Sequence, residues 1–398
     1  MNILATIVHG IYIALATFVL GFHIFASNIE QHRTPPFPTA APGPTAVQRT
    51  HATTTLPALV AAATTTVPIK SPVVVTATTK LRTVPSAASS TQASAPSATQ
   101  APRPAAPAAP AKDPIAVNAE TRAAVVNILC TTQAGGYVSP ISGSGVFVDH
   151  RGIIMTNAHV AEYFLLKDYP VSNNITCVVR TGSPAVPAYT AELLYISPEW
   201  IATNAKQLGS EVQTGTGEND FAFLRVTGTT NPNGTLPATF PALPMANMVP
   251  DTGASVLAAA YPAGFLEGIT IEKSLYSTSA FTTVQQLFTF NSPTDVDVVA
   301  LKGSVVAQAG SSGGAAVLAS TGQLIGLIST EVVATTTSDR ILNAITINYI
   351  DRALKAKGFG GITGLLTGDA VAAAHTFNTD VAPLLTAKLV AALTKNNH

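Results

Sequence analysis

Charge is the first thing this chain has little of. Only 11% of its 398 residues are Asp, Glu, Lys or Arg, and 21 acidic side chains balance 21 basic ones. Without net charge there is no electrostatic case for nucleic acid or for acidic partners, so no nucleic-acid binding is expected. Cysteine is limited to Cys130 and Cys177. The possibilities are one bridge or two buried thiols acting as small hydrophobes. Lys and Arg are missing ahead of the apolar run Ile3–Ala26, which removes the basic region that opens a secretory signal, and Ile24-Phe25-Ala26 fits a cleavage site poorly. A run of that length spans a bilayer core, so residues 1–33 read as an N-terminal membrane anchor in preference to a cleaved signal segment. Between Thr34 and Asp113 aromatics and charges are both scarce, and Pro, Ala, Thr and Ser dominate. Such a stretch cannot bury enough apolar surface to offset its ordering entropy. Residues 34–113 are therefore expected to be a disordered linker that holds a folded domain away from a membrane, outside the cytoplasm.

Ordered structure is expected from about Ile115. Six apolar or alternating runs read as strands: Ala123–Cys130, Gly143–Val148, Ile153–His159, Ile175–Arg180, Ala191–Ile196 and Phe221–Val226. After a linker rich in Thr, Asn, Pro and Gly (Thr227–Pro241) come seven more: Ser255–Ala259, Thr270–Tyr276, Leu287–Thr289, Val296–Leu301, Ala315–Leu318, Leu324–Thr330 and Ala344–Ile347. Many short strands separated by turn signals indicate an all-β barrel or sandwich architecture. Ile350–Lys357 reads as a closing helix, and the alanine-rich Val381–Leu393 as a helix in a tail.

The chemistry gathers at Gly310-Ser311-Ser312-Gly313-Gly314. A serine hydroxyl needs a base to become a nucleophile, and its attack on a carbonyl creates an oxyanion that needs N–H donors. Glycines beside Ser312 let the backbone turn sharply and expose such donors. Two further stretches complete the set. Ile153-Ile154-Met155-Thr156-Asn157-Ala158-His159-Val160 runs into a histidine, and Asn219-Asp220-Phe221-Ala222-Phe223-Leu224 sets an Asp at the mouth of an apolar strand. The pentapeptide also satisfies G-x-S-x-G, the elbow of α/β-hydrolases, with Asp351 or Asp369 and His375 to supply the order Ser, acid, His. That elbow needs a helix directly after the serine, whereas Ala315–Leu318, Thr321-Gly322 and Leu324–Ile328 read as strand, turn, strand.

With these motifs in the order His159, Asp220, Ser312, residues 117–357 resemble the trypsin/chymotrypsin-like serine proteases, most closely the bacterial HtrA/Deg-type branch. The resemblance implies two antiparallel six-stranded β-barrels, barrel one over 114–226 and barrel two over 242–358, with catalytic groups in the cleft between them. It implies a protein or peptide substrate and requires no cofactor or metal. Ser312 would be the nucleophile, His159 the base and Asp220 its orienting acid, with the backbone N–H groups of Gly310 and Ser312 as the oxyanion hole. Other histidines sit elsewhere: His9 and His23 in the apolar run, His32 and His51 in the spacer, His150 in a turn, and His375 and His398 beyond the domain. Asp168, Asp295 and Asp297 lack the strand-heading context of Asp220.

The same resemblance assigns substrate contacts to Ser329, Thr330 and Glu331, which would pair with substrate backbone. It puts Val306 at the pocket base with Asn343 opposite. An apolar Val306 suggests a small or medium apolar side chain before the cut, while a carboxylate at Glu331 would favour a basic one. Trypsin-like zymogens carry Asp before the nucleophile; here that residue is Ser311, so activity is expected without cleavage near residues 113–120. HtrA/Deg proteins usually carry a PDZ domain after the protease, and the residues after Lys357 are too few for one. Residues 359–398 are expected to be a helical tail. In the implied barrel the strands bearing Cys130 and Cys177 close against each other, which favours the bridge over free thiols in an extracytoplasmic domain. A protease-fold protein that only binds peptides is the competing function.

Overall fold

The computed structural model describes residues 82–83, 111–133, 138–208, 215–332 and 340–396, with backbone alone at 82–83, 330–332 and 396. By internal contacts the chain divides at Val74, and the described residues belong to the unit Val75–His398. The anchor expected at Ile3–Ala26 lies outside the described residues, as does nearly all of the linker. Among the described residues no helix is long and apolar enough to cross a membrane.

Thirteen strands are described: β1 Arg82–Thr83, β2 Val125–Thr132, β3 Ile141–Asp149, β4 Ile153–Thr156, β5 Ile175–Thr181, β6 Val186–Ile196, β7 Ala222–Thr229, β8 Ser255–Ala260, β9 Thr278–Thr289, β10 Val298–Leu301, β11 Ala315–Leu318, β12 Gln323–Val332 and β13 Ile341–Thr346. Strands β2-β3-β4-β7-β6-β5 form a closed antiparallel barrel. In the second sheet β8 pairs with both β11 and β9, so β8-β9-β10-β13-β12-β11 closes as well, and β1 adds to the edge of β9. Two six-stranded barrels with a helix after the last strand fit the chymotrypsin-like fold.

Closure makes burial economical. A barrel has no unpaired edge, and side chains alternate between its interior and its outside. Val126, Ile128, Phe147, Ile154, Leu193 and Leu224 share the inner face and belong to the core that fills barrel one. Val256, Val299, Leu301, Ile328 and Leu342 fill barrel two.

Three departures from the sequence reading have physical causes. The chain enters barrel one through a helix, Pro114–Ala124, and not directly through a strand at Ala123. Asp113 accepts from the Ile115 N–H and Pro114 occupies the first helical position, both helix-starting signals. The strand expected at Thr270–Tyr276 is instead the helix Gly268–Lys273. Arg180 is buried beneath it, and its guanidinium donates to the Ile271 and Glu272 carbonyls at the helix end at 2.9 and 2.7 Å. The place of two expected strands is taken by β9, which runs unbroken from Thr278 to Thr289. Finally, β4 stops at Thr156, so His159 stands on a one-turn helix, Ala158–Ala161, and not on the strand.

After β13, Thr346 caps the helix Ile347–Ala356 by accepting from the Tyr349 N–H at 3.0 Å. The following segments, Gly361–Thr367, Ala370–Thr376 and Ala382–Asn396, are helical. They lie on barrel one: Leu385, Leu389 and Leu393 are buried, and Thr386 Oγ1 donates to the Leu165 carbonyl at 2.9 Å. Arg151 fixes the start of this tail by donating to the Leu366 carbonyl.

Candidate active site

The two barrels bring His159, Asp220 and the Ser312 loop to their junction. Asp220 is 1% exposed and uses both carboxylate oxygens. Oδ1 accepts from the His159 backbone N–H at 3.0 Å, and Oδ2 is 2.9 Å from His159 Nδ1. The Ser329 hydroxyl also donates to Oδ2, at 2.7 Å. An ionised carboxylate only accepts, so Nδ1 carries the proton and Nε2 is left as the basic nitrogen. The strand expected from Phe221 starts one residue later: Asn219, before the acid, has φ +63, and Phe221 leads into β7 at Ala222. Asn219 is held by Tyr349, whose hydroxyl accepts from its N–H at 3.1 Å and lies 3.2 Å from its Oδ1. Asn157 locks the other side, its Nδ2 donating to the Asp220 carbonyl at 2.8 Å.

In the serine loop two glycines are required by geometry. Gly310 has φ +90, and a Cβ there would stand 2.9 Å from the Tyr261 carbonyl oxygen. Gly313 has φ +87, and a Cβ would fall 2.0 Å from the Ser144 carbonyl oxygen, so barrel one's backbone approaches the loop too closely for a side chain. The Ala263 N–H donates to the Ala309 carbonyl at 2.7 Å. In a trans peptide the N–H points opposite its carbonyl, so the Gly310 N–H faces away from Ala263. Neither it nor the Ser312 N–H has a partner among the described residues. The Ser312 hydroxyl donates to the Ser329 carbonyl at 3.4 Å, with no hydrogen bond to His159 in this state. Catalytic hydrogen bonds are often loose before substrate arrives. Ser311, buried, donates to the Val306 carbonyl at 2.6 Å.

The residues assigned to substrate contact divide. The Ser329 side chain is committed to Asp220, which leaves its backbone for a substrate. Thr330 and Glu331 pair through their backbones with Asn343 and Leu342 of β13; their side chains lie outside the described residues. The partner strand β11 reaches only to Leu327, so β12 has an edge free of β11 from Ser329 onward. Val306 is fully buried in the core of barrel two, and Asn343 sits on β13 opposite Ala300 and Thr330. Among the described residues no three His, Cys, Asp or Glu side chains converge as a metal site.

The family model of a trypsin-like peptidase domain matches residues 143–327, a span that contains His159, Asp220 and Ser312. The chain carries a trypsin-like peptidase domain. It is also similar to the solved structure of the Rv3671c protease from M. tuberculosis in its active form, at 21% identity over 65% of this chain and 93% of that one, with a TM-score of 0.38. A structure of Deg5 matches at 18% identity over 60% of this chain and 90% of that one, with a TM-score of 0.39. No curated protein matches.

Within this peptidase domain two features escaped sequence reading. Ser329 and Asn157 hold Asp220, and neither stands close to it in sequence. The second is Glu162, one helical turn beyond His159 and 2% exposed. Burial, then the nearby Asp220 charge, hold its carboxyl well above the ordinary value of 4.5; the Trp200 indole partly offsets this. Trp200 Nε1 and Glu162 Oε2 nevertheless lack a hydrogen-bond partner. A raised folded-state pKa means the native chain holds a proton that the unfolded chain has lost. The associated stability is complete below the unfolded value, declines as pH rises from there to the folded pKa, and is then flat. Glu162→Gln should therefore leave Tm near wild type in acid and gain on wild type as pH rises. Parallel melting curves of the two proteins across pH would contradict this.

Proposed function

We propose that the chain is a serine endopeptidase working through Ser312, His159 and Asp220, with its catalytic domain tethered outside the cytoplasm by residues 3–26. The observation that carries this is the Asp220 carboxylate, which grips both Nδ1 and the backbone N–H of His159 and so leaves Nε2 as the base. A turn of the Ser312 hydroxyl from the Ser329 carbonyl to Nε2 starts the reaction. Oγ attacks the peptide carbonyl as Nε2 takes its proton, and Asp220 stabilises the imidazolium. The Gly310 and Ser312 N–H groups receive the oxyanion. The imidazolium then protonates the leaving amine, and water, activated by the same base, releases the acyl group. The edge of β12 from Ser329 onward accepts substrate as an added strand, which suits a peptide and not a small ester. The Cys130–Cys177 disulfide and the proline-rich spacer support a location outside the cytoplasm.

A fluorophosphonate probe tests the reading: it should label Ser312, and labelling should disappear in Ser312→Ala. A wild-type protein that binds peptides but neither labels nor hydrolyses would be the peptide-binding alternative.

Activation by cleavage is not part of this proposal. The Ser311 hydroxyl is already satisfied within its own loop by Val306, so no new α-amino group is needed to order it. Protein made uncleavable across residues 113–120 should hydrolyse peptides as fast as trimmed protein. Activity confined to the trimmed form would refute this.

A further inference from the structure

Ser144, in β3, is fully buried where the barrels meet. Its backbone N–H donates to the Ser312 carbonyl at 2.7 Å, and its own carbonyl accepts from Thr156 Oγ1 at 2.7 Å. The side chain makes two more bonds, to the Tyr261 N–H at 2.9 Å and the Gly310 carbonyl at 2.8 Å. Proton positions follow from valence. A backbone N–H only donates, so Oγ accepts from Tyr261; a carbonyl only accepts, so the single hydroxyl proton lies on Gly310.

That bond matters because of where Gly310 stands. Its φ of +90 is one that glycine adopts without side-chain help, so nothing within the residue holds its peptides in place. Three contacts do: Ala263 from barrel two takes the carbonyl before Gly310, Ser144 from barrel one takes the carbonyl after it, and the N–H of that second peptide, Ser311's, donates to the Gln308 carbonyl at 3.1 Å within the loop. The unpartnered Gly310 N–H lies between these two anchored carbonyls. Without Ser144 the Gly310–Ser311 peptide is held only by the Gln308 carbonyl, inside the same loop, and its rotation about Gly310 carries the preceding peptide and its N–H out of aim.

We propose that Ser144 is a positioning residue for the oxyanion hole: its hydroxyl holds the Gly310 carbonyl so that the Gly310 N–H stays aimed at the developing oxyanion. The same hydroxyl couples that aim to the docking of barrel two's 261–263 segment against barrel one. This rests on the serine-hydrolase reading above.

The test compares the full chain with Ser144→Ala, Ser144→Cys and Asn118→Ala. Asn118 accepts from Ser279 Oγ at 2.7 Å, a contact of the entry helix with barrel two that does not involve the serine loop. Active sites are counted with a fluorophosphonate, turnover is followed on dye-quenched casein, and binding is measured for an acetylated tripeptide aldehyde ending in valinal. The aldehyde forms a tetrahedral adduct whose oxygen uses the hole. Removing a hole donor outright costs on the order of 100- to 1,000-fold in kcat, so loosening one should cost on the order of 10- to 100-fold per active site. Ser144→Ala should show that loss in kcat with KM within about twofold, and aldehyde affinity should fall by a similar factor. Ser144→Cys, whose thiol is a weaker donor, should fall between, and it carries the test if the alanine variant does not fold. Asn118→Ala should lower Tm with kcat per site unchanged.

Wild-type kcat and aldehyde affinity in Ser144→Ala would overturn the proposal, as would an equal kcat loss in Asn118→Ala. Wild-type protein that neither labels nor turns over would overturn the serine-hydrolase reading itself, and this proposal with it.

Discussion

Ser312→Ala is expected to lose about 10⁶-fold in kcat on a peptide substrate, and His159→Ala nearly as much, with the double variant scarcely worse. The near-equality is the informative part. Nucleophile and base act as a unit, so once either is gone the other has no partner to act on. Residual hydrolysis then comes from binding and the oxyanion donors alone. Asp220→Asn should cost about 10⁴-fold, because an amide at that position can present N–H to Nδ1 and favour the wrong tautomer. Here Asp220 also receives the Ser329 hydroxyl and the His159 backbone N–H. Its replacement therefore loosens the short helix that carries the histidine. KM should change little in all three, since none of these side chains lies on the β12 edge proposed for substrate. Near-normal turnover by both Ser312→Ala and His159→Ala would end the triad reading.

The second large effect is on stability. Cys130 and Cys177 face each other in register across β2 and β5, the seam that closes barrel one, with Cα atoms 4.0 Å apart and a bond between the sulfurs. The bridge closes a loop of 47 residues that contains His159. Restricting that loop in the unfolded chain is worth about 4 kcal/mol on a chain-entropy basis. For a domain of this size about 1 kcal/mol moves Tm by roughly 2–4 °C, so a Cys130→Ala/Cys177→Ala variant should melt roughly 8–16 °C lower. Activity below the new melting temperature should be largely retained, because the seam is held by ladder hydrogen bonds in either case. Two titratable thiols in unreduced, denatured protein from its native compartment would show that the bridge does not form there.

Much of the fold was legible because it rests on local pattern. Apolar runs such as Ile153–Thr156 and Ser255–Ala260 bury one barrel face or both, and turn residues separate them. The failures came where a distant group decided a local conformation. Ile269, Thr270 and Ile271 are β-branched and residues 270–276 read as strand, yet 268–273 are helical with Arg180, some ninety residues away, bonded to the helix end. Pro114 after Asp113 was a helix signal present in the sequence and overlooked beside the apolar run that comes after it.

The site divides in the same way. His159, Asp220 and Ser312 stood out because each occupies a short motif whose neighbours set its backbone: an apolar strand before the histidine, an apolar strand after the acid, glycines around the serine. Their surroundings did not. Asn157 and Glu162 flank the histidine and Ser329 stands in the strand assigned to substrate, but nothing local points any of them at Asp220, and Ala263 and Ser144 are ordinary residue types in ordinary contexts.

Sequence by itself determined the alternation that makes strands, the glycines that let the serine loop pass beneath barrel one, and the order of the three catalytic candidates. Only tertiary structure decided which hydroxyl meets Asp220, which carbonyls are held around Gly310, and that the two cysteines meet. Each of these is a contact between residues far apart in the chain, made when two barrels close and dock. A hydrogen bond depends on distances of a few tenths of an ångström, which residue spacing along the chain does not encode.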